Sequence, residues 1–361
     1  MVEHHPGTYV SKNTTSDPTN LPWALTAHLL SLSTPQLKRT TTAPFLSRAA
    51  HGTLPKQVIA EWLANDRLYI QGYISLAENL IHIIKTTSPT THTTATSSET
   101  TSIETRLLHW LDDALKNIQR EATWFDEMTT SYSLTAPVPT SDQKSQGVQR
   151  FEALFSLLST HPPDPFLPWL EGAVCLFSTE KIYYEAWRWA RKQDRRRSTD
   201  GSSPGTEDYS ADLDGGAMRK EFIPNWSNKD FLMFVETLER IINEGVGAAV
   251  GRDDAKWREV KRRAEGVWQA TLDAEEVFWP DVEGVSSSAR DNSGVNTEYN
   301  VSSSNRSDSG VNTEYKGTAV HGLLGAKDGS LLEPSNRKYD GGSSDGQETI
   351  YVPHVGHVGR V

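Results

Sequence analysis

Cysteine is almost missing from this chain: Cys175 stands alone among 361 residues. No intramolecular disulfide can form and no CxxC zinc pattern exists. That usage fits a reducing compartment. Long apolar runs are scarce too. The longest, Phe166 to Phe177, contains Glu171 and is too short to span a bilayer. Met1 to Asn20 is polar and lacks the apolar segment of a secretory signal. Excess positive charge is also wanting. A formal net charge of -11 disfavours non-specific binding to nucleic acid or anionic membranes. The basic run Lys192 to Arg197 is the exception, and it reads as a solvated helix end. The expectation is a soluble, cytoplasmic protein with no nucleic-acid or membrane partner. The 11 histidines form no HExxH and no helical i, i+4 pair. GxGxxG, P-loop and GxSxG patterns are absent as well. No metal or organic cofactor is expected.

What is present is helical periodicity, without convincing strand alternation, so the fold class is read as all-α. Candidate helices are Leu21 to Leu32, Gln36 to Ala50, Pro55 to Lys85, Ile103 to Met128, Gln149 to Leu158, Phe166 to Arg191, Asp230 to Asn243 and Asp254 to Trp279. Thr53 is the expected N-cap of the long third segment, with Pro55 in its first turn. Ser227 is the expected cap before Asp230, and Gly245 the expected stop. Pro280 ends the last helix. Two polar stretches, near 87–102 and 198–216, read as insertions. Residues 1–20 read as a flexible N-terminus, 21–282 as one helical domain and 283–361 as a disordered tail. The tail repeats SerGlyValAsnThrGluTyr at Ser293 to Tyr299 and Ser309 to Tyr315. Two polar copies are too few for a solenoid.

Charged residues inside apolar stripes carry the functional signal. Trp62, Tyr69, Tyr73 and Ala77 form a stripe on the Pro55 helix, and Asp66 falls within it. On the last helix Glu275 interrupts Ala264, Trp268, Thr271, Phe278 and Trp279 in the same way. Cys175, Thr179 and Tyr183 stack four residues apart on the long middle helix. A buried carboxylate without partners is costly, so each acid needs donors from the protein or from a ligand. Each alone reads equally well as a structural buried polar group. Two of them on aromatic stripes favour a small polar-aromatic pocket.

Four blocks resemble the TenA, or thiaminase II, family. They are Pro44-Phe45 with Gly52-Thr53-Leu54-Pro55 and Trp62 to Tyr69; Leu170 to Glu185; Phe222 to Trp226; and Glu275-Glu276-Val277-Phe278-Trp279. The resemblance spans about Leu21 to Val282. It implies a haem-oxygenase-like multi-helical bundle. It also implies an aminopyrimidine hydrolase that breaks a C–N bond in a thiamin-derived compound. By the same resemblance Asp66 binds the pyrimidine beside Tyr69, Tyr183 frames the pocket, and Glu275 is the acid/base. The place of the family's cysteine nucleophile is held by Thr179, with Glu180 beside it as a weaker candidate. Cys175 lies one turn away and reads as core. Phe151 and Trp226 stand where pocket tyrosines are usual, which makes the pocket more apolar. A small pyrimidine-like substrate is the expected partner. Relatives often form tetramers, so a homo-oligomer is possible. The competing expectation is a non-catalytic, small-molecule-binding member.

Overall fold

The structure is a computed structural model, and it describes residues 24–87, 101–194 and 209–283. Ten α-helices and one π-helix occupy these residues, with no strand among them. The short α1 (Leu25–Ser31), α2 (Thr34–Thr41) and α3 (Pro44–Ala50) lead into α4 (Lys56–Thr87). Then come α5 (Ile103–Tyr132), α6 (Gln146–Thr160) and α7 (Leu170–Gln193). A π-helix (Ala217–Phe222) runs into α8 (Ile223–Trp226), followed by α9 (Lys229–Val250) and α10 (Asp254–Glu276). The all-α expectation holds. The expected flexible N-terminus, most of both insertions and the tail with its repeats lie outside the described residues.

The boundaries follow capping chemistry. Ser102 accepts the Thr105 N–H to start α5, and Ser145 accepts that of Val148 to start α6. Asp253 takes two N–H groups at the start of α10. Two expected caps are corrected. Asn228, not Ser227, accepts the Phe231 N–H and opens α9, while Ser227 donates to the Ile223 carbonyl. Thr53 does not cap α4; its hydroxyl donates to the Arg48 carbonyl, and the Pro55 carbonyl accepts the first helical N–H groups. Gly245 does not stop α9, which continues to Val250. A Cβ there would come within 2.8 Å of Trp169 and Ile103, so this glycine permits a close crossing. Gln36 to Ala50 is two helices, broken at Thr42 and Ala43. The residue before Pro44 is pushed to an extended conformation, with ψ 148° at Ala43.

The end of the second polar stretch is built into the protein. Asp212 lies against Gly52, where a Cβ would meet its carboxylate at 2.3 Å. Arg219 reaches both Asp212 oxygens at 2.7 and 2.6 Å, and Asp214 accepts the N–H groups of Gly216 and Met218. This turn fixes the π-helix and, through it, α8. The helices then enclose a common interior: α4 packs on α5, α6 and α7, and α10 packs on α6 and α7. No helix among the described residues is long and apolar enough to cross a membrane.

Candidate active site

Four helices each deliver a carboxylate to one interior region. Asp66 comes from α4, Glu121 from α5, Glu180 from α7 and Glu275 from α10. Asp66 is 5% exposed and Glu275 is 2% exposed. Their proximity is electrostatic as well as topological. The charge of Asp66 acts on Glu275 and Tyr183, and that of Glu180 on Glu275, Tyr69 and Tyr73. Glu121 acts on Asp66, Glu180, Tyr73 and Tyr183. Glu121, Glu180, Tyr69 and Tyr183 keep some accessible surface. Yet burial is the largest influence on all four.

Desolvation dominates the protonation of every acid here. It pushes Glu275 up to about 8, reinforced by the charges of Asp66 and Glu180. Glu180 is pushed to about 8 by burial, against the hydrogen bond that Tyr73 donates at 2.6 Å. Burial pushes Glu121 to about 7, against the Trp226 indole N–H donated at 2.5 Å. Asp66 is raised well above the usual carboxylate range by burial and then by Glu121, with Arg67 opposing. Arg67 offers little relief, because its guanidinium is drawn to Asp126 at 2.8 Å and to the Thr129 hydroxyl.

Aromatic rings wall the space. Trp62, Tyr183, Trp187, Trp226 and Trp279 form one contiguous cluster. Tyr183 and Trp279 are parallel within 10° at 6.0 Å between centroids. Tyr69 meets Phe151 edge-on at 4.9 Å and also contacts Phe155 and Phe278. Four buried polar atoms in these walls have no hydrogen-bond partner among the described residues: Glu275 Oε2 and the indole nitrogens of Trp62, Trp187 and Trp279. Unsatisfied groups of this kind are rare in protein interiors. A separate open groove of about 680 Å³ runs along the outer side of Trp62 and Trp279, and none of the four acids lines it.

The seven residues expected in the site are accounted for as follows. Asp66, Tyr69, Tyr183, Trp226 and Glu275 surround the acid cluster, and Phe151 packs behind Tyr69. Thr179 is buried and within hydrogen-bond reach of Tyr69, but its hydroxyl donates to the Leu176 carbonyl. No base contacts it among the described residues. Cys175 is buried with its thiol pushed up to about 12, so it is protonated and unreactive at neutral pH. Among the described residues no group of three or more His, Cys, Asp or Glu could hold a metal ion.

Two acids were missed or undervalued. Glu180, the weaker candidate beside Thr179, enters the acid cluster and is held there by Tyr73. Glu121 was overlooked altogether. A signal existed: Leu107, Leu111, Ala114, Ile118 and Phe125 are the buried stripe of α5, and Glu121 fills the slot between the last two.

No family profile matches the chain. Among curated proteins it is similar to a "Probable transcription factor" of Fusarium pseudograminearum, 24% identical over 245 residues. That alignment covers 62% of this chain and 45% of the relative, so the chain spans less than half of that protein. Among solved structures it is similar to a TenA homologue from Pyrococcus furiosus, with a TM-score of 0.48 and 22% identity, covering 71% of this chain and 98% of that one. It is also similar to a TenA homologue from P. horikoshii OT3, with a TM-score of 0.46, 15% identity and 71% and 96% coverage.

Proposed function

We propose that this chain is a hydrolase-like enzyme of the thiaminase II type, acting on an aminopyrimidine or related thiamin-derived compound. The observation that carries this reading is the meeting of Asp66 and Glu275 in one aromatic interior, with Glu275 Oε2 unpartnered. An aminopyrimidine offers N–H donors along one edge for the carboxylates, ring nitrogens that can accept from the unpartnered indoles, and a flat face for the rings.

In this reading Asp66 accepts hydrogen bonds from the amidine edge of the ring. Glu275 is poised as an acid because burial holds its proton near neutral pH. It gives that proton to the departing amine as the exocyclic C–N bond breaks. The resulting carboxylate takes a proton from the water whose oxygen forms the new C–O bond. Thr179 stays outside the covalent chemistry, since its hydroxyl is engaged with the Leu176 carbonyl and lacks a base. Direct attack by water makes turnover slower than a thiolate route would allow.

The test is incubation of the purified full chain with thiamin and with an aminomethyl-aminopyrimidine, followed by mass spectrometry. Hydroxymethyl product that disappears in Glu275→Gln is the expected result. Binding without product would turn the reading towards a small-molecule-binding protein. Neither binding nor product would end it.

A further inference from the structure

Glu121 has no role in the mechanism above, although it sits among the groups that do. It occupies a core slot of α5, 105 residues away in sequence from the Trp226 that holds it. A glutamate in that slot is expensive unless something repays its desolvation. Among the described residues its hydrogen-bond donor is the Trp226 indole N–H, which satisfies Oε1. Trp226 in turn is locked by Trp62, Tyr183 and Trp187 at 5.8, 5.3 and 4.9 Å between centroids. The carboxylate is therefore aimed by rigid packing and is not a wandering surface acid.

The groups facing it are Asp66 and Tyr73 from α4, Glu180 and Tyr183 from α7, and Trp226 from α8. None of these is a cation. The positive charge of Arg67 acts on Asp66, and it is tied to Asp126. Glu275 feels Asp66 and Glu180 but not Glu121. Glu121 therefore pairs with Asp66 rather than with Glu275 itself. Two paired carboxylates, with aromatic faces around them, ask for a delocalised positive charge.

We infer that Glu121 and Asp66 together hold the heterocycle of the ligand as a ring-protonated cation, so that Glu121 determines specificity for basic aminopyrimidines. The inference rests on the reading of the site as an aminopyrimidine pocket and adds a residue and a charge state to it. A ring that cannot take up a proton, such as the pyrimidinone in which a carbonyl replaces the amino group, would leave the two acids facing each other and would bind poorly.

The experiment reads the charge of the bound ligand without turnover. The probe is 4-amino-5-hydroxymethyl-2-methylpyrimidine labelled with 13C in the ring, bound to the full chain and followed by NMR between pH 6 and 9. Expected is the chemical shift of the protonated ring persisting well above the pH at which the free probe loses it. In Glu121→Gln the midpoint falls by about one pH unit or more. Glutamine keeps an oxygen to accept the Trp226 N–H, and circular dichroism checks that the helices remain. A second variant, Trp226→Phe, removes the indole donor that favours the charged form of Glu121, and is expected to lower the midpoint by less than Glu121→Gln does. A probe bound in neutral form, or a midpoint unmoved in Glu121→Gln, would overturn the assignment of Glu121 while leaving the pocket reading intact. Failure of the probe to bind at all would remove both.

Discussion

Tyr73 on α4 donates its phenolic proton to Glu180 on α7, Oη to Oε1 at 2.6 Å, inside the acid cluster. The bond favours the ionised form of Glu180 and offsets part of its desolvation. In Tyr73→Phe the carboxyl should therefore titrate above its present value of about 8. A charge-assisted bond of about 1.5–3 kcal/mol corresponds to a rise of roughly one to two pH units. NMR of 13C-labelled glutamate side chains would show the displaced midpoint. An unchanged titration would mean that the pair does not form in solution.

Stability should fall as the solution becomes alkaline. Glu121, Glu180 and Glu275 are raised to about 7, 8 and 8 from an ordinary 4.5. Below about pH 4.5 these groups are protonated in both the folded and unfolded chain and contribute no slope. Above it the unfolded chain loses its protons first, so the folded state holds more of them and loses stability up to about pH 8. Urea midpoints measured from pH 5 to 9 should decline, and the decline should flatten in Glu275→Gln. A midpoint rising across that window would contradict the buried acids.

Arg219 is the support of the turn that leads into α8. It binds both oxygens of Asp212 and reaches Asp194, with almost no exposure of its own. Arg219→Met strands a buried carboxylate against Gly52 and should cost about 3–5 kcal/mol by urea unfolding. Adding Asp212→Asn removes the stranded charge and should recover part of that loss. A loss below about 1 kcal/mol in the single variant would show the pair to be worth no more than a surface bridge.

Cys175 should ignore thiol reagents in the folded protein. Its burial and raised thiol leave no thiolate to react near neutral pH. Ellman's reagent should report no free thiol until urea unfolds the chain, then one. Rapid reaction of the native protein would place this residue in contact with solvent.

Much of this arrangement was legible before any coordinates. The long helices declare themselves through apolar spacing, and Asp66 and Glu275 stand out because each breaks a stripe of rings. The same rule applied to α5 would have found Glu121. It was masked by its neighbourhood, where Asp112, Asp113, Lys116 and Arg120 make the helix look solvated along most of its length. Its partner Trp226 is distant in sequence, and a contact of that range leaves no local trace. Glycine misled for a related reason. Gly245 looks like a terminator locally, but the bulk it avoids is Trp169, from another helix. Asp212 and Asp214 read as loop polarity because nothing local reveals that Gly52 and Arg219 close over them.

The four acids share one further property: every one projects from the flank of a long helix, and none from the segments joining helices. Connectors other than the Asp212–Arg219 turn, which sets α8 and with it Trp226, are then free to lengthen, shorten or change composition over evolutionary time without retuning the chemistry. Substitutions that alter what the protein recognises should instead collect at a few inward positions spaced by whole helical turns.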